Sequence, residues 1–272
     1  CKSMIRNSLF LLFITMVVAG CSQTPPHARE STEPSSEPKT LVFDSIHESN
    51  DTMIPVLEVS TVEIENALDT TRLIYAWLDS FEVENTLLNR VDVPTGYNRV
   101  EVVAGSFEEW LRYIPLKPGK PNVKLWNKED KWTQDVHIGV VDMDVDERDL
   151  QQCADAVMRL KAEFHFQAKE WEEIHFNYMC GDAVSFDKWK SGYKPVPKNH
   201  AVSWYSCSYC NDSYRSFRKY LIQIYNYAGT LSLERELKLK EWQDVEIGDV
   251  VIQGGSPGHA MTVADVAVNQ DG

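Results

Sequence analysis

The sequence predicts an α+β fold in which helices pack on an antiparallel sheet. Two long segments, residues 150–171 and 213–228, place apolar side chains at helical spacing along one stripe. Two short apolar segments, residues 250–253 and 259–268, have the composition of strands and flank a loop rich in glycine. The C-terminal part of the chain is therefore expected to be a helix packed on an antiparallel sheet.

The first 20 residues are typical of a lipoprotein signal peptide. A basic start precedes an apolar run of roughly ten residues, a length that suits a signal peptide and is too short to cross a bilayer as a helix. The run ends in Val-Ala-Gly-Cys at 18–21, which resembles the bacterial lipobox. Lipoprotein processing needs a cysteine there, because its thiol takes a diacylglycerol and its freed amine takes an acyl chain. We therefore expect lipidation, palmitate included, at Cys21.

Several acyl chains give stable anchoring, so the mature protein is expected to be exported and held on a membrane of the bacterial envelope. Ser22, in place of an aspartate, resembles the sorting pattern for the outer membrane if the cell is Gram-negative. Residues 21–40 are mostly Pro, Ser, Thr and Glu and cannot bury enough apolar surface to fold, which predicts a flexible tether. Residues 41–272 are then expected to form a single globular α+β domain.

Local signals predict the elements of that domain in order. Apolar residues between 68 and 81 have helical spacing, and a strand is predicted at 100–103. Ser106 followed by Glu109 is a capping box that begins a helix ending at residue 113.

Further along the chain, residues 136–145 alternate in the manner of a strand. Asp149 is expected to cap the first long helix, which puts Cys153 in its first turn or so, and Gly229 is expected to end the second. Residues 269–272, Asn-Gln-Asp-Gly, have the composition of a hairpin turn without a returning strand. We therefore expect the fold to be truncated at its C-terminus.

Blocks spread over the predicted domain resemble an uncharacterised family of bacterial lipoproteins, known only as domain of unknown function 4846. The blocks are RVDVPTGYNR at 90–99, SFEEWLRYIPLKP at 106–118, DLQQCADAVMRL at 149–160, SYRSFRKYL at 213–221, YAGTLSL at 227–233 and GDVVIQGGSPGHA at 248–260. The resemblance implies a cellular context and a chain that continues past residue 272 with another strand. It implies no established activity.

The block around His259 is also similar to bacterial papain-like cell-wall cysteine peptidases and amidases. Gly-Asp at 248–249, a short strand, a glycine-rich loop and Gly-His at 258–259 follow their pattern. In those enzymes a histidine at a strand start faces a cysteine at a helix N-terminus, where the imidazole removes the thiol proton and the positive helix end favours the thiolate. The resemblance implies a papain-like architecture, with Cys153 as nucleophile and His259 as general base.

A third polar residue orients the histidine ring in those enzymes, and here it would lie beyond Gly272. Asp265 shares a strand face with His259, but about 20 Å along the strand is too far to orient the ring. A structural interpretation remains open beside the catalytic one. Cys153 lies on an apolar stripe with Leu150, where a cysteine is commonly a small core residue, and His259 is then a polar residue at a strand end.

Two hypotheses of function follow. The first is an envelope lipoprotein that acts as a papain-like cysteine hydrolase on amide bonds of the cell envelope. The second is a non-catalytic lipoprotein that binds a glycan, a peptide or a protein partner through the same cleft. The net charge of −14 argues against nucleic acid and against binding of anionic lipid through a basic face. We expect no cofactor under either hypothesis.

Three further cysteines are candidates for disulfide bonds. Cys207 and Cys210, together with Cys180 and His200, are ligands of the types that zinc prefers. Their spacing is irregular and an exported compartment favours oxidation, so disulfide bonding of Cys180, Cys207 or Cys210 is expected rather than a metal site. Five tryptophans at 110, 126, 132, 189 and 204 could line a glycan surface, but no regular spacing links them and a core role is favoured.

Overall fold

The computed structural model describes residues 9–14, 39–42 and 72–269. Its strands are β1 (Leu9–Ile14), β2 (Lys39–Val42), β3 (Tyr97–Arg99), β4 (His175–Asn177), β5 (Ala183–Ser185), β6 (Tyr193–Lys198), β7 (Ala201–Ser206), β8 (Lys238–Leu239), β9 (Val250–Gln253) and β10 (His259–Asn269). Its helices are α1 (Leu87–Arg90), α2 (Phe107–Arg112), α3 (Cys153–Ala168), α4 (Phe186–Lys190), α5 (Tyr214–Tyr227) and α6 (Thr230–Glu236). Helices packed on antiparallel strands confirm the predicted α+β class.

The main sheet has the strand order β1-β10-β9-β2-β8, and β3 also pairs with β10. Every pairing in it is antiparallel. The long strand β10 pairs with β9 over its first four residues and with β3 over its last three. Val263 and Ala264, in the middle of the strand, are fully buried. This central strand therefore connects the glycine-rich loop at residue 254 to the interior of the domain.

Two of these strands lie in segments for which the sequence predicts other roles. β1 falls within the predicted signal peptide, and β2 begins inside the predicted tether. β1 pairs along β10 from Thr262 to Val268, and β2 pairs with both β8 and β9. The predicted lipidation site, Cys21, lies outside the described residues.

Helix α3 packs on β10 and contributes to two hydrophobic cores. Ala154 and Ala162 on one face of the helix belong to the first core, in which Phe186 of α4 and Phe217 of α5 are fully buried. Leu160 on another face belongs to the second core, which also contains Trp110 of α2 and Val263 of β10. Full burial of a side chain of this size contributes about 2–3 kcal/mol. The orientation of α3 over the sheet is therefore determined by apolar packing along its whole length.

A buried arginine strengthens that orientation. Arg159 in the middle of α3 is inaccessible to solvent, and its guanidinium pairs with Glu163 at 3.1 Å and with Asp144 at 2.6 Å. It also donates to Oε1 of Gln151 at 2.9 Å. Although burial disfavours the charge, the carboxylates of Glu163 and Asp144 raise the pKa of Arg159. Because an unpaired buried charge would be costly, this network ties α3 to the loop that precedes it.

The predicted helix at 68–81 is wrong over its described part, residues 72–81, which is irregular and extended. Leu73 and Tyr75 are buried while Ile74 between them is exposed, which is an alternation of period two. The Tyr75 hydroxyl donates to the carbonyl oxygen of Trp110, and the Trp110 indole donates to the carbonyl oxygen of Ile74, both at 2.9 Å. The second of these tertiary hydrogen bonds occupies the carbonyl oxygen of Ile74, a backbone group that a helix would need.

The predicted strand at 136–145 is also wrong, because only Val141 forms an isolated bridge, with Leu116. The strand predicted at 100–103 is displaced to β3, whereas β9 and β10 are confirmed. Helix α2 begins as predicted, with the Ser106 hydroxyl accepting from the backbone nitrogen of Glu109 at 3.2 Å. Helix α5 is confirmed between residues 214 and 227, but Gly229 then begins the unpredicted helix α6.

Candidate functional site

Helix α3 begins later than the sequence predicts, and this changes the position of Cys153. Gln152, not Asp149, is the N-cap, so Cys153 is the first residue of the helix. The reason lies in local hydrogen bonds: the backbone nitrogen of Gln152 donates to Oδ2 of Asp155 at 2.8 Å, and Gln151 is turned inward to Arg159. The Cys153 side chain is half-buried at this helix end.

The carboxyl group of Asp155 is an unusual cap. It is almost fully buried, and its Oδ1 has no hydrogen-bond partner among the described residues. Burial raises the pKa of Asp155 to about 7, against the opposing effect of the hydrogen bond from Gln152. The Asp155 carboxyl group, two residues after Cys153, therefore changes its charge near neutral pH.

His259 is the first residue of β10 and its ring is accessible to solvent. Partial burial, and then the positive charge of Lys131, lower the pKa of the imidazole. Both effects disfavour the protonated form, so the ring is neutral at neutral pH. A neutral imidazole can accept a proton, which is what a general base requires.

Close contact with helix α6 positions the loop that leads to His259. A Cβ atom on Gly258 would lie 2.2 Å from Oγ1 of Thr230, so no larger residue fits there. The Thr230 hydroxyl donates to the carbonyl oxygen of Gly255 at 3.2 Å. The backbone nitrogen of Gly254 donates to Oε1 of Glu234 at 3.1 Å. The absence of side chains at Gly254 and Gly258 therefore allows the backbone of this loop to lie close to α6.

Helix α3, which begins at Cys153, packs on β10, which begins at His259. Ala154, next to Cys153, belongs to the same core as Ala260, next to His259. One and a half turns further along the helix, Leu160 belongs to the second core together with Val263 of β10. Both cores therefore contain residues of α3 and of β10, so the helix that begins at Cys153 packs against the strand that begins at His259.

Asp265 has a structural role elsewhere on β10. Its buried carboxylate accepts from Nε of Arg99 at 2.5 Å and from Nε of Arg112 at 2.9 Å. These bonds join β3 and α2 to the central strand. Because both oxygens of Asp265 are engaged in the core, this carboxylate does not orient the ring of His259.

The other cysteines separate into two kinds. Cys207 and Cys210 form a disulfide bond, with an S–S distance of 2.01 Å, while Cys180 is an exposed thiol. His200, with Asn199, has positive φ and makes the two-residue turn between β6 and β7. In the part of the chain that the structure describes, no group of three His, Cys, Asp or Glu side chains could hold a metal ion.

The tryptophans do not form one surface. Trp110 and Trp189 are buried in the two cores, whereas Trp126 and Trp132 are exposed in the loop before residue 136. Trp204 is partly buried beneath the ammonium group of Lys188, which lies 4.6 Å from its ring centre.

Sequence reasoning missed a groove formed by hairpin β6–β7 and the disulfide loop. Lys194 and Tyr205, opposite each other in the hairpin, lie on one side of it. A signal in the sequence could have predicted the hairpin. Lys194, Val196 and Lys198 occupy every second position, as residues on one face of a strand do, and the turn residues Asn199 and His200 follow them.

A family model described as domain of unknown function (4846) matches residues 87–272. The chain belongs to this family. The matched range runs from α1 through β10 and includes both Cys153 and His259. Neither a curated protein nor a solved structure matches the chain. Among the helices of the described residues, none has the length and apolar character needed to cross a membrane.

Proposed function

We propose that this member of the family is a cysteine hydrolase that acts on amide bonds of the cell envelope, as papain-like enzymes do. The observation that carries the proposal is the packing of α3 on β10. Cys153 is the first residue of that helix and His259 is the first residue of that strand, so a potential nucleophile and a potential base begin two elements that are in contact.

In the proposed mechanism, the imidazole of His259 takes the thiol proton of Cys153. The Cys153 sulfur attacks the amide carbonyl carbon, and the resulting tetrahedral oxyanion collapses as the C–N bond breaks. The imidazolium gives its proton to the departing amine. Water, deprotonated by the same imidazole, then attacks the thioester and releases a carboxylic acid and the thiol.

The local electrostatics support each of these proton transfers. The positive N-terminal end of a 16-residue helix favours a thiolate and a developing oxyanion at its first residue. His259 begins neutral, so it can accept the thiol proton. Once protonated, it is a stronger acid than an isolated imidazolium, because partial burial disfavours the added charge and Lys131 repels it. That repulsion favours delivery of the proton to the leaving amine.

The alternative function is binding of a glycan, a peptide or a protein partner by the same cleft without turnover. Its support is the environment of Cys153. The thiol is half-buried, and its neighbour Ala154 lies in the core with Val157, as expected for a small packing residue.

Thiol reactivity tests the catalytic pair. Alkylation of the full chain with iodoacetamide between pH 5.5 and 8.5, followed by peptide mass mapping, measures Cys153 and Cys180 in the same sample. We expect Cys153 to react about tenfold faster than the exposed Cys180 at pH 6.5, because a thiolate is the reactive species. His259→Ala should remove that advantage and leave the rate at Cys180 unchanged.

Equal rates at the two cysteines, or an advantage that survives His259→Ala, would refute the pair. Turnover is measured separately as new amino groups released from purified cell-wall fragments. Cys153→Ala should abolish this release. Binding of the fragments without release by the wild-type protein would support the non-catalytic alternative.

We also propose that the protein is exported and anchored in the bacterial envelope through lipid on Cys21, in the outer membrane if the cell is Gram-negative. The support is the Val-Ala-Gly-Cys motif at 18–21 behind a short apolar run. Growth with labelled palmitate should label the wild-type protein, and Cys21→Ala should lose the label and leave the membrane fraction. A membrane-bound, unlabelled wild-type protein would contradict the anchor.

A further inference from the structure

Hairpin β6–β7 has two faces of different character. Directly opposed residues of an antiparallel pair point to the same side, and the register pairs Lys194 with Tyr205 and Val196 with Ser203. Residues between them along the strand, among them Trp204, pack against the first core. The face that carries Lys194 and Tyr205 is therefore turned away from the core.

This outer face and the adjoining disulfide loop enclose a groove of about 440 Å³. Its lining includes Lys194, Val196 and Tyr205 from the hairpin and Ser208 and Tyr209 from the loop. The tyrosines remain open to solvent, with 48% of Tyr205 and 43% of Tyr209 exposed. The disulfide bond between residues 207 and 210 closes the loop that holds Tyr209 at the groove.

The segment of the chain that forms the groove has a charge opposite to that of the whole protein. The chain carries a net charge of −14, yet residues 187–219 contain seven Lys or Arg residues and only two acidic ones. Lys194, Lys198 and Lys219 have no ion-pair partner among the described residues. The ammonium group of Lys219 lies 4.5 Å from the ring centre of Tyr209. A local positive charge thus remains available next to exposed aromatic rings.

We propose that the β6–β7 groove binds a carboxylate-bearing oligosaccharide. Tyrosine rings offer an apolar face for the C–H groups of a sugar ring and a hydroxyl for its polar edge. Lys194 in the lining, with Lys198 on the same hairpin face, supplies the charge that a uronic or lactyl carboxylate needs, and Ser208 adds a hydroxyl. The site lies on a different element from Cys153 and His259, so it does not depend on the proposed hydrolase activity.

Charge complementarity selects this ligand class among those that bind aromatic grooves. A neutral glycan would use the tyrosines and leave Lys194 unused. A phospholipid surface or a nucleic acid would require a broad basic face, whereas Lys194 is the one charged residue among the described residues that line this groove. A groove of this size accommodates a few sugar units, and their carboxylates would come close to Lys194.

Titration calorimetry with two hexasaccharides tests the proposal. The probes are a galacturonic acid hexamer, which carries carboxylates, and an N-acetylglucosamine hexamer, which is neutral. We expect the acidic hexamer to bind at least tenfold more tightly at 50 mM NaCl, with the difference shrinking at 500 mM NaCl as the charges are screened. Tyr205→Ala should weaken binding about tenfold, and Lys194→Ala about threefold, as is typical of exposed charges.

Matched variants distinguish the groove from the rest of the surface. Tyr227→Ala removes an equally exposed aromatic ring elsewhere, and Lys120→Ala removes an exposed lysine of a distant loop. Neither should change the affinity, and thermal unfolding should show that all four variants remain folded.

Several outcomes would overturn the proposal. Equal affinity for the two hexamers would show that charge does not select the ligand. Equal loss in the control variants, or binding to anionic phospholipid vesicles in place of the acidic hexamer, would show that the groove is not a site for acidic glycans. Hydrolysis assays on Cys153→Ala are independent of all these results.

Discussion

Asp155→Asn should change how the stability of the protein depends on pH. Asparagine keeps an oxygen that can accept from the backbone nitrogen of Gln152, so the cap of α3 is retained while the titrating proton is removed. In the wild type, burial raises the pKa of Asp155 from 3.8 to about 7. The folded state therefore holds this proton more tightly than the unfolded chain does.

The sign and the size of the effect follow from that shift. A folded-state pKa above the unfolded value contributes stability that is fully present below pH 4 and is lost as the pH rises through 7. A difference of roughly three pKa units corresponds to about 4 kcal/mol, lost at close to 1.4 kcal/mol per pH unit between pH 4 and 7. Asp155→Asn should match the wild type at pH 4 and exceed its stability by as much as about 4 kcal/mol at pH 8.

Urea unfolding at pH 4, 5, 6, 7 and 8 measures this difference directly. Comparing the two proteins at each pH cancels the other groups that titrate in this range, among them Glu236, whose pKa burial also raises to about 7. Curves for the wild type and Asp155→Asn that run parallel from pH 4 to pH 8 would mean that Asp155 is ionised throughout, and the argument from its burial would fail.

Three further predictions concern residues that hold the site in place. Gly258→Ala should cost about 1–3 kcal/mol in thermal unfolding, because its Cβ would collide with Thr230, and it should lower the alkylation rate at Cys153 by displacing His259. Arg159→Leu should cost about 3–5 kcal/mol in urea unfolding by leaving Glu163 buried without its partner, and the double variant with Glu163→Leu should recover most of that loss. Ser106→Ala should cost about 1 kcal/mol through loss of the α2 cap, with no effect on alkylation at Cys153.

The sequence by itself determined the elements whose signals are local. Helix α5 has its serine cap directly before its first residue and its apolar stripe within the helix. Strands β9 and β10 have short apolar runs on either side of the glycine-rich loop. These signals act within one turn of helix or one strand, where backbone hydrogen bonds and apolar periodicity coincide. For the same reason, the sequence predicts that His259 follows a glycine-rich loop and begins a strand.

Only the tertiary structure determined the conformation of segments that contact residues distant in the sequence. Residues 72–81 have the spacing of a helix, but the Trp110 indole donates a hydrogen bond to the carbonyl oxygen of Ile74, and the segment is extended. Arg159 draws Gln151 inward and delays the start of α3, which makes Cys153 its first residue. Such contacts join residues that are far apart in the chain, or they involve a buried charge. A local sequence pattern does not predict them. The packing of α3, which begins at Cys153, on β10, which begins at His259, likewise depends on contacts between residues that are distant in the sequence.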